Sequence, residues 1–378
     1  MCVPGDDDLE NIVRMGTGIN ELLAAAFPEG NPLEGVIGDL ERMNALKLRL
    51  LEPDVVLCVN DKCHLFSWAG DHCEKYGVAT LNLCPSQHEI QRQHAGVMDE
   101  WRKIFANVHN WPPPPPELEY TLVRDPLHVP RIAGLYVTYR PLIANEDLIP
   151  EGREVVGPVY MGFEAEAEQN EQLQTSGLLQ WLDNDPRPVV YVSLGSMIRN
   201  FSSMPGADDN SSRVSGIRAL FQALLCPSSA ATCRVLTTIP PTVYKDIDGA
   251  ENVRFCSWVP QFAVLGHPRV AAFVSHCGAN SVHEAIYHAV PIIAVPFFDD
   301  QRYNAPRLVQ LGLAAASLSK EHMTEEQVTT ALALVLHNHD IRDKMVAASE
   351  AAKKADGLGR LIEEAKKMIN YSVSHPPS

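Results

Sequence analysis

Short apolar runs of four to seven residues alternate along the chain with stretches in which apolar positions recur every three or four residues, the pattern of parallel strands joined by crossover helices. The second half carries this pattern most fully. Residues 188–194 (PVVYVSL), 233–239, 270–275 (VAAFVS) and 291–295 (PIIAV) predict strands, and 213–226, 280–289, 301–311, 324–337 and 340–354 predict helices. Thr324 with Gln327 three residues later reads as a capping box opening the fourth of these helices. The expected product is a complete doubly wound α/β domain.

The first half is thinner. Residues 54–59 (DVVLCV) and 78–83 (VATLNL) predict strands, 133–139 a third, and 62–76 a helix with Leu65, Phe66, Trp68, Ala69 and Cys73 on its inner side. Before residue 50 only helical or loop patterns occur. Trp111 and the five prolines through Pro116 form a stiff polyproline segment, and Glu164 to Gly177 is polar and linker-like. The expected organisation is a partial Rossmann-like domain over 1–155, a linker over 156–180, a second Rossmann-like domain over 181–355, and a helix at 357–370 within a terminal segment 356–378.

Composition narrows the function. With 31 basic and 47 acidic residues the net charge is −16, and no Lys/Arg cluster suited to phosphate backbones stands out, so a nucleic-acid binder is not expected. No run approaches the roughly 18 apolar residues of a membrane span, and Met1 to Asp8 is acidic where a secretory leader is basic. Nine scattered cysteines suit a reducing compartment, and together these features predict a soluble, cytoplasmic chain with free thiols. Cys63, His64, His72 and Cys73 combine zinc-ligating side chains, but their spacing matches no common zinc module and suits the predicted helix better. No metal is expected.

The richest chemistry lies between Trp258 and Gln301. The strand 270–275 runs into Ser275, His276, Cys277 and Gly278, and a helix follows at about Asn280. Such a strand–turn–helix aims backbone N–H groups and the positive helix end outward, which suits a diphosphate. Gly278 permits close backbone approach, and His276 can donate to a phosphate oxygen. A plainer reading makes Asn280 an N-cap and Ser281 with Glu284 a capping box, serving the helix alone.

The combination resembles the signature segment of the UDP-glycosyltransferases, nucleotide-sugar enzymes built of two facing Rossmann-like domains (the GT-B fold). The match comprises WVPQ at 258–261, LGHP at 265–268, HCG at 276–278, Asn280, Ser281, Glu284, Val290-Pro291, Pro296, Asp300-Gln301, Asn304-Ala305 and Leu311-Gly312. Upstream, WLDNDP at 181–186 and VVYVSLGS at 189–196 look like that family's entry into its C-terminal domain. The resemblance implies that Trp258 stacks on uracil, that the Val259 backbone reads the base edge, that Gln261 lies near the ribose and that Glu284 accepts from the ribose hydroxyls. It further implies that His276, Asn280, Ser281 and Ser196 hold the diphosphate and that Asp300 with Gln301 binds the transferred sugar. These roles suit an aromatic face, a carboxylate for a vicinal diol and donors for an anion.

Two departures qualify what the resemblance implies. Plant members carry tryptophan where Ala279 stands, which leaves the sugar open. The family's catalytic histidine follows the first strand, whereas the first histidine here is His64; Asp61, after the strand 54–59, corresponds to the aspartate that supports that base. His88 and His94 follow the next predicted strand. The expectation is therefore a UDP-sugar donor site, a small hydroxylated acceptor and no further cofactor. The N-terminal domain is expected to lack one or two βα units, a gap that a partner chain can fill, and no terminal membrane anchor is expected. The alternative is a non-catalytic UDP-sugar-binding protein or donor-site subunit. A UDP-sugar epimerase of similar fold suits WVPQ and the Asp300-Gln301 pair less well.

Overall fold

The computed structural model describes residues 57–61, 79–84, 132–146, 149, 154–160, 163–195, 212–297, 300–320 and 322–374. The segments holding Cys63, His64, His72, Cys73, His88, His94, the polyproline run and Ser196 lie outside the described residues.

The described part of the first half forms one parallel sheet, β1 (Leu57–Asp61), β2 (Ala79–Cys84), β3 (Ile132–Tyr136) and β4 (Glu154–Val155), in that spatial order. Asp61 is the last residue of β1, in register with Leu83, so the strand runs two residues further than the apolar pattern implies and Asp61 does not follow it. A strand ladder admits a terminal carboxylate because only the backbone takes part in pairing.

The second half is a six-stranded parallel sheet of β5 (Val189–Ser193), β6 (Arg234–Thr237), β7 (Val253–Phe255), β8 (Val270–Ser275), β9 (Ile292–Ala294) and β10 (Ala314–Ser317). Its spatial order is β10-β9-β8-β5-β6-β7, so the winding direction reverses between β5 and β8. Both faces are covered. Val189 and Tyr191 of β5 turn to one core, with Phe273, Val282, Ile286 and Met345; Val190 and Val192 turn to the other, with Phe221, Val274, Ile293 and Val335. Because alternate side chains are buried on opposite faces, the strand reads as an unbroken apolar run rather than an alternating one.

The polar run read as a linker is helical. α1 (Phe163–Thr175) packs on the short helix that follows Pro260, and α2 (Leu178–Asp183) leads into β5. The residues of α1 from Glu166 onward bury a single apolar side chain, Leu173, which is why the segment looks like a linker in sequence. The remaining helices are α3 (Ser212–Leu225), α4 (Pro227–Thr232), α5 (Gln261–Leu265), α6 (Ala279–Tyr287), α7 (Gln301–Gln310), α8 (Glu325–His337), α9 (His339–Lys354) and α10 (Gly357–Ser374). The Thr324 capping box is present in full: the Gln327 N–H donates to the Thr324 hydroxyl, and the Thr324 N–H donates to the Gln327 carboxamide.

Two connections join the halves. After β3, Thr138 and Tyr139 meet His283 of α6: the His283 Nε2 lies 3.0 Å from the Thr138 hydroxyl and 3.4 Å from the Tyr139 N–H. Arg307 of α7 donates through Nε to the Pro141 carbonyl at 2.8 Å, and Leu142 is buried in the core of the second sheet. At the other end, α10 returns to lie against β1 and β2, and Arg360 pairs with Glu154 and donates to the Val155 carbonyl.

Candidate functional site

In an open α/β sheet a ligand crevice forms outside the carboxyl ends of the strands at the point where the winding reverses. Here that point is the pair β5/β8, whose ends are Ser193 to Gly195 and Ser275 to Gly278. The turn after β8 is tightly held. Cys277 is buried at φ 66°, a left-handed conformation; its N–H donates to the Ser275 hydroxyl at 3.0 Å, and its carbonyl accepts from Asn304 Nδ2 at 3.0 Å. Anchoring on both sides offsets the cost of a positive φ at a residue other than glycine.

His276 occupies the crevice floor. A Cβ on Gly195 or Gly278 would come within 2.8 and 2.7 Å of its Nε2, so both glycines are needed to seat the ring between the two strand ends. Its Nδ1 is buried with no hydrogen-bond partner, and burial lowers its pKa to about 4, so the ring is neutral near pH 7. A neutral imidazole with an unsatisfied buried nitrogen is suited to a ligand that supplies the missing partner.

α6 begins at Ala279, with Gly278 as N-cap and no side-chain cap. The plainer reading of Asn280, Ser281 and Glu284 as capping residues is therefore corrected: Asn280 is exposed one residue inside the helix, and the other two side chains bond elsewhere. The Ala279 N–H donates to Asp300 Oδ2 at 2.8 Å. The N–H groups of Asn280 and Ser281 come before the first intrahelical bond, from the Val282 N–H to the Gly278 carbonyl, and face the positive end of the helix.

Beside this helix end lies a polar chain. Tyr191 on β5 donates its hydroxyl to Gln261 Oε1 at 3.1 Å; Gln261 Nε2 donates to Glu284 Oε2 at 2.7 Å and to the Ser281 hydroxyl at 3.1 Å. Burial raises the Glu284 pKa, against the lowering effect of the Gln261 bond. Burial also pushes the Tyr191 phenol up, with the Ser193 hydroxyl acting in the opposite direction and Glu284 adding to the rise. Just before Gln261, Trp258 is 56% exposed whereas Val259 is 4% exposed, so the indole stands at the surface while its neighbour anchors the loop in the core. An exposed tryptophan ahead of a buried carboxylate and its amide is an apolar platform next to a polar pocket.

Asp300 and Gln301 bind backbone. Asp300 Oδ2 accepts from Ala279 N–H and from Asn304 Nδ2 (3.1 Å), and Gln301, 4% exposed, accepts the Phe297 N–H at 2.9 Å. The structure thus brings His276, Gly278, Asn280, Ser281, Glu284, Gln261, Asp300 and Gln301 onto or beside α6 and α7, with Trp258 and Val259 in the loop that precedes α5. Asp61 lies in the other sheet, at the end of β1. Tyr191 was not read as a site residue from the sequence, because one aromatic in an aliphatic strand looks like core. A hydroxyl on a strand buried on both faces was the available signal, since it demands a partner. Among the described residues no group of three or more His, Cys, Asp or Glu is placed to hold a metal ion, and no helix is long and apolar enough to cross a membrane.

Comparison with known proteins agrees with this geometry. Residues 180–355 match the family model described as UDP-glucoronosyl and UDP-glucosyl transferase. The chain is 29% identical over 245 residues to UDP-glycosyltransferase 71K1 of Malus domestica, an alignment covering 59% of this chain and 51% of that protein. It is 35% identical over 156 residues to UDP-glucuronosyltransferase 2B17 of Mus musculus, covering 40% and 25%. The chain thus spans about half the length of the plant relative, and less of the animal one. Among solved structures, Os79 from O. sativa in complex with UDP superposes with a TM-score of 0.62 at 18% identity, over 90% of this chain and 87% of that one. Medicago truncatula UGT71G1 complexed with UDP-glucose gives 0.60 at 18%, over 85% and 77%. These likenesses establish a shared two-sheet GT-B fold. Over the matched segment 180–355, just under half of its length, the chain is similar to the UDP-glycosyltransferase family.

Proposed function

We propose that the crevice at β5/β8 binds a UDP-sugar and that the chain is an inverting glycosyltransferase, moving a hexose to a hydroxyl of a small lipophilic acceptor. The observation that carries this reading is the unsatisfied Nδ1 of His276 beside the amino end of α6, with the Tyr191–Gln261–Glu284 chain alongside. An anion site and a buried carboxylate for a diol, side by side, suit a nucleoside diphosphate. In this reading Trp258 and the Val259 backbone take the uracil, Gln261 and Glu284 the ribose, and His276, Gly278, Asn280, Ser281 and Ser196 the diphosphate. Asp300 and Gln301 take the sugar. The names of the relatives, and the UDP and UDP-glucose bound in the structural neighbours, support it.

Transfer requires an acceptor oxygen to lose its proton as it attacks the anomeric carbon while UDP departs. The donor half contributes by holding the diphosphate in an array of neutral donors that accept its charge without a metal ion. Asp61 at the end of β1 is the proposed support for the proton acceptor on the other side. A second reading, donor binding without transfer, is favoured by the placement of every residue that carries the proposal in the second half of the chain.

Calorimetry with UDP tests the donor assignment. Trp258→Ala and Glu284→Ala are each expected to weaken binding about tenfold or more, given the usual value of an aromatic contact or a charged hydrogen bond. Unchanged affinity in both variants removes these residues from the site. Release of UDP from a UDP-sugar, measured with and without a panel of hydroxylated acceptors, separates the two readings: acceptor-dependent release supports transfer, and tight binding with no release supports a binding protein.

A further inference from the structure

A carboxamide has two ends of nearly equal shape and opposite polarity, so the partners of Gln261 decide which end faces Glu284. An ionised carboxylate only accepts, so it requires the NH2 end; both Nε2 protons are then used, on Glu284 Oε2 and on the Ser281 hydroxyl. That leaves Oε1 facing the strand, where Tyr191 supplies a donor. The Tyr191 ring cannot turn away, because it is 1% exposed and stacked on Phe273 at 5.0 Å and 12°. Without the hydroxyl, Oε1 loses the donor that holds it toward the strand, and only the charge on Glu284 itself opposes a flip of Gln261 that would point a carbonyl oxygen at the carboxylate and require a proton there.

Resting on the donor-site reading above, we propose that the Tyr191 hydroxyl fixes the polarity of Gln261, and through it keeps Glu284 a charged acceptor for ribose hydroxyls. Tyr191 is thus a positioning residue for sugar recognition in the nucleotide, acting from the sheet without touching the ligand. Its effect is on selectivity, since a charged acceptor gains its strongest bonds from a 2′,3′-diol and loses one when the 2′-hydroxyl is missing.

The test compares affinities for UDP and 2′-deoxy-UDP by calorimetry on the full chain, in the wild type, Tyr191→Phe and Gln261→Leu. The wild type is expected to prefer UDP by about tenfold or more, the value of one hydrogen bond to a charged group. Tyr191→Phe keeps the ring on Phe273 and is expected to reduce that preference to within about threefold, mainly by weakening UDP. Gln261→Leu is expected to do the same, and a preference retained there overturns the proposal even should the phenylalanine variant fail to fold. A retained preference in either folded variant overturns the proposal, as does an equal loss for both nucleotides, which is the mark of packing alone. A wild type that binds both nucleotides equally also overturns it, while leaving the nucleotide site standing. A folded wild type that binds neither overturns the donor-site reading along with it.

Discussion

Asp300 illustrates how a side chain proposed for the donor sugar is also committed to the fold. Its Oδ2 holds the first N–H of α6 and the Asn304 amide, so deleting the carboxyl exposes two buried donors. Asp300→Ala is expected to lower stability by about 1–3 kcal/mol and to weaken UDP, and UDP-sugar still more because the proposed sugar contact is lost as well. Asp300→Asn retains an oxygen for Ala279 and is expected to spare UDP binding while weakening UDP-sugar severalfold. Thermal melts and paired titrations check both. The candidate site is legible in the WVPQ and HCG segments, whose side chains the structure gathers around α6, because their chemistry is tied to side-chain type. Tyr191 is not, since its role depends on which atom of Gln261 it meets, a matter of three-dimensional register.

The elements most legible in the sequence were those with one dominant physical cause. β8 begins and ends where its apolar run does, and α8 starts where Thr324 and Gln327 cap each other. β7 (VRF) and β10 (AAAS) escaped notice because an edge strand of three or four residues with partly exposed positions offers no apolar run. The helicity of α1 is not legible for the related reason that, from Glu166 onward, a helix burying only Leu173 has almost no amphipathic stripe. The Thr324 cap gives a clean prediction at this scale. Thr324→Ala is expected to cost about 1 kcal/mol in urea unfolding and to leave UDP affinity unchanged, because Thr324 and Gln327 bond to each other and to no residue of the crevice. A loss of UDP affinity would show that this face of the sheet is coupled to the site.

Across the whole molecule, burial sets the response to acid. His276, His283 and His288 are each lowered to about 4, chiefly by burial, from an ordinary value near 6.5. Between those values these three side chains bind more protons in the unfolded chain than in the folded one, so the stability they contribute is present above pH 6.5 and is lost as pH falls toward 4, with the raised Glu284 acting the other way. Asp185, held to about 2 chiefly by its side-chain hydrogen bond to Arg187, contributes its loss only below its ordinary value of 3.8, outside that window. Of the three histidines, His283 joins the halves. Its Nε2 must carry a lone pair, since the Tyr139 N–H can only donate to it, and protonation removes that acceptor. His283→Leu is expected to be less stable at pH 7 by about 1–3 kcal/mol and to lose less on acidification than the wild type, as read from urea unfolding at pH 7 and pH 5. An unaltered pH slope would assign the acid response to the other two histidines.

The return of α10 to β1 and β2 carries a consequence for the order in which this protein takes shape on the ribosome. The first sheet is covered by the last helix, and the Arg360 contacts to Glu154 and Val155 span more than half the chain. The six-stranded sheet has all its strands once residue 317 has emerged, whereas the four-stranded one, although translated earlier, waits for residues 357–374. Until then β1 and β2 lack the helix that lies against them, a gap for chaperones rather than for the sequence to fill. Ribosome-bound chains arrested after residue 355 should therefore protect the later half from protease before the earlier one.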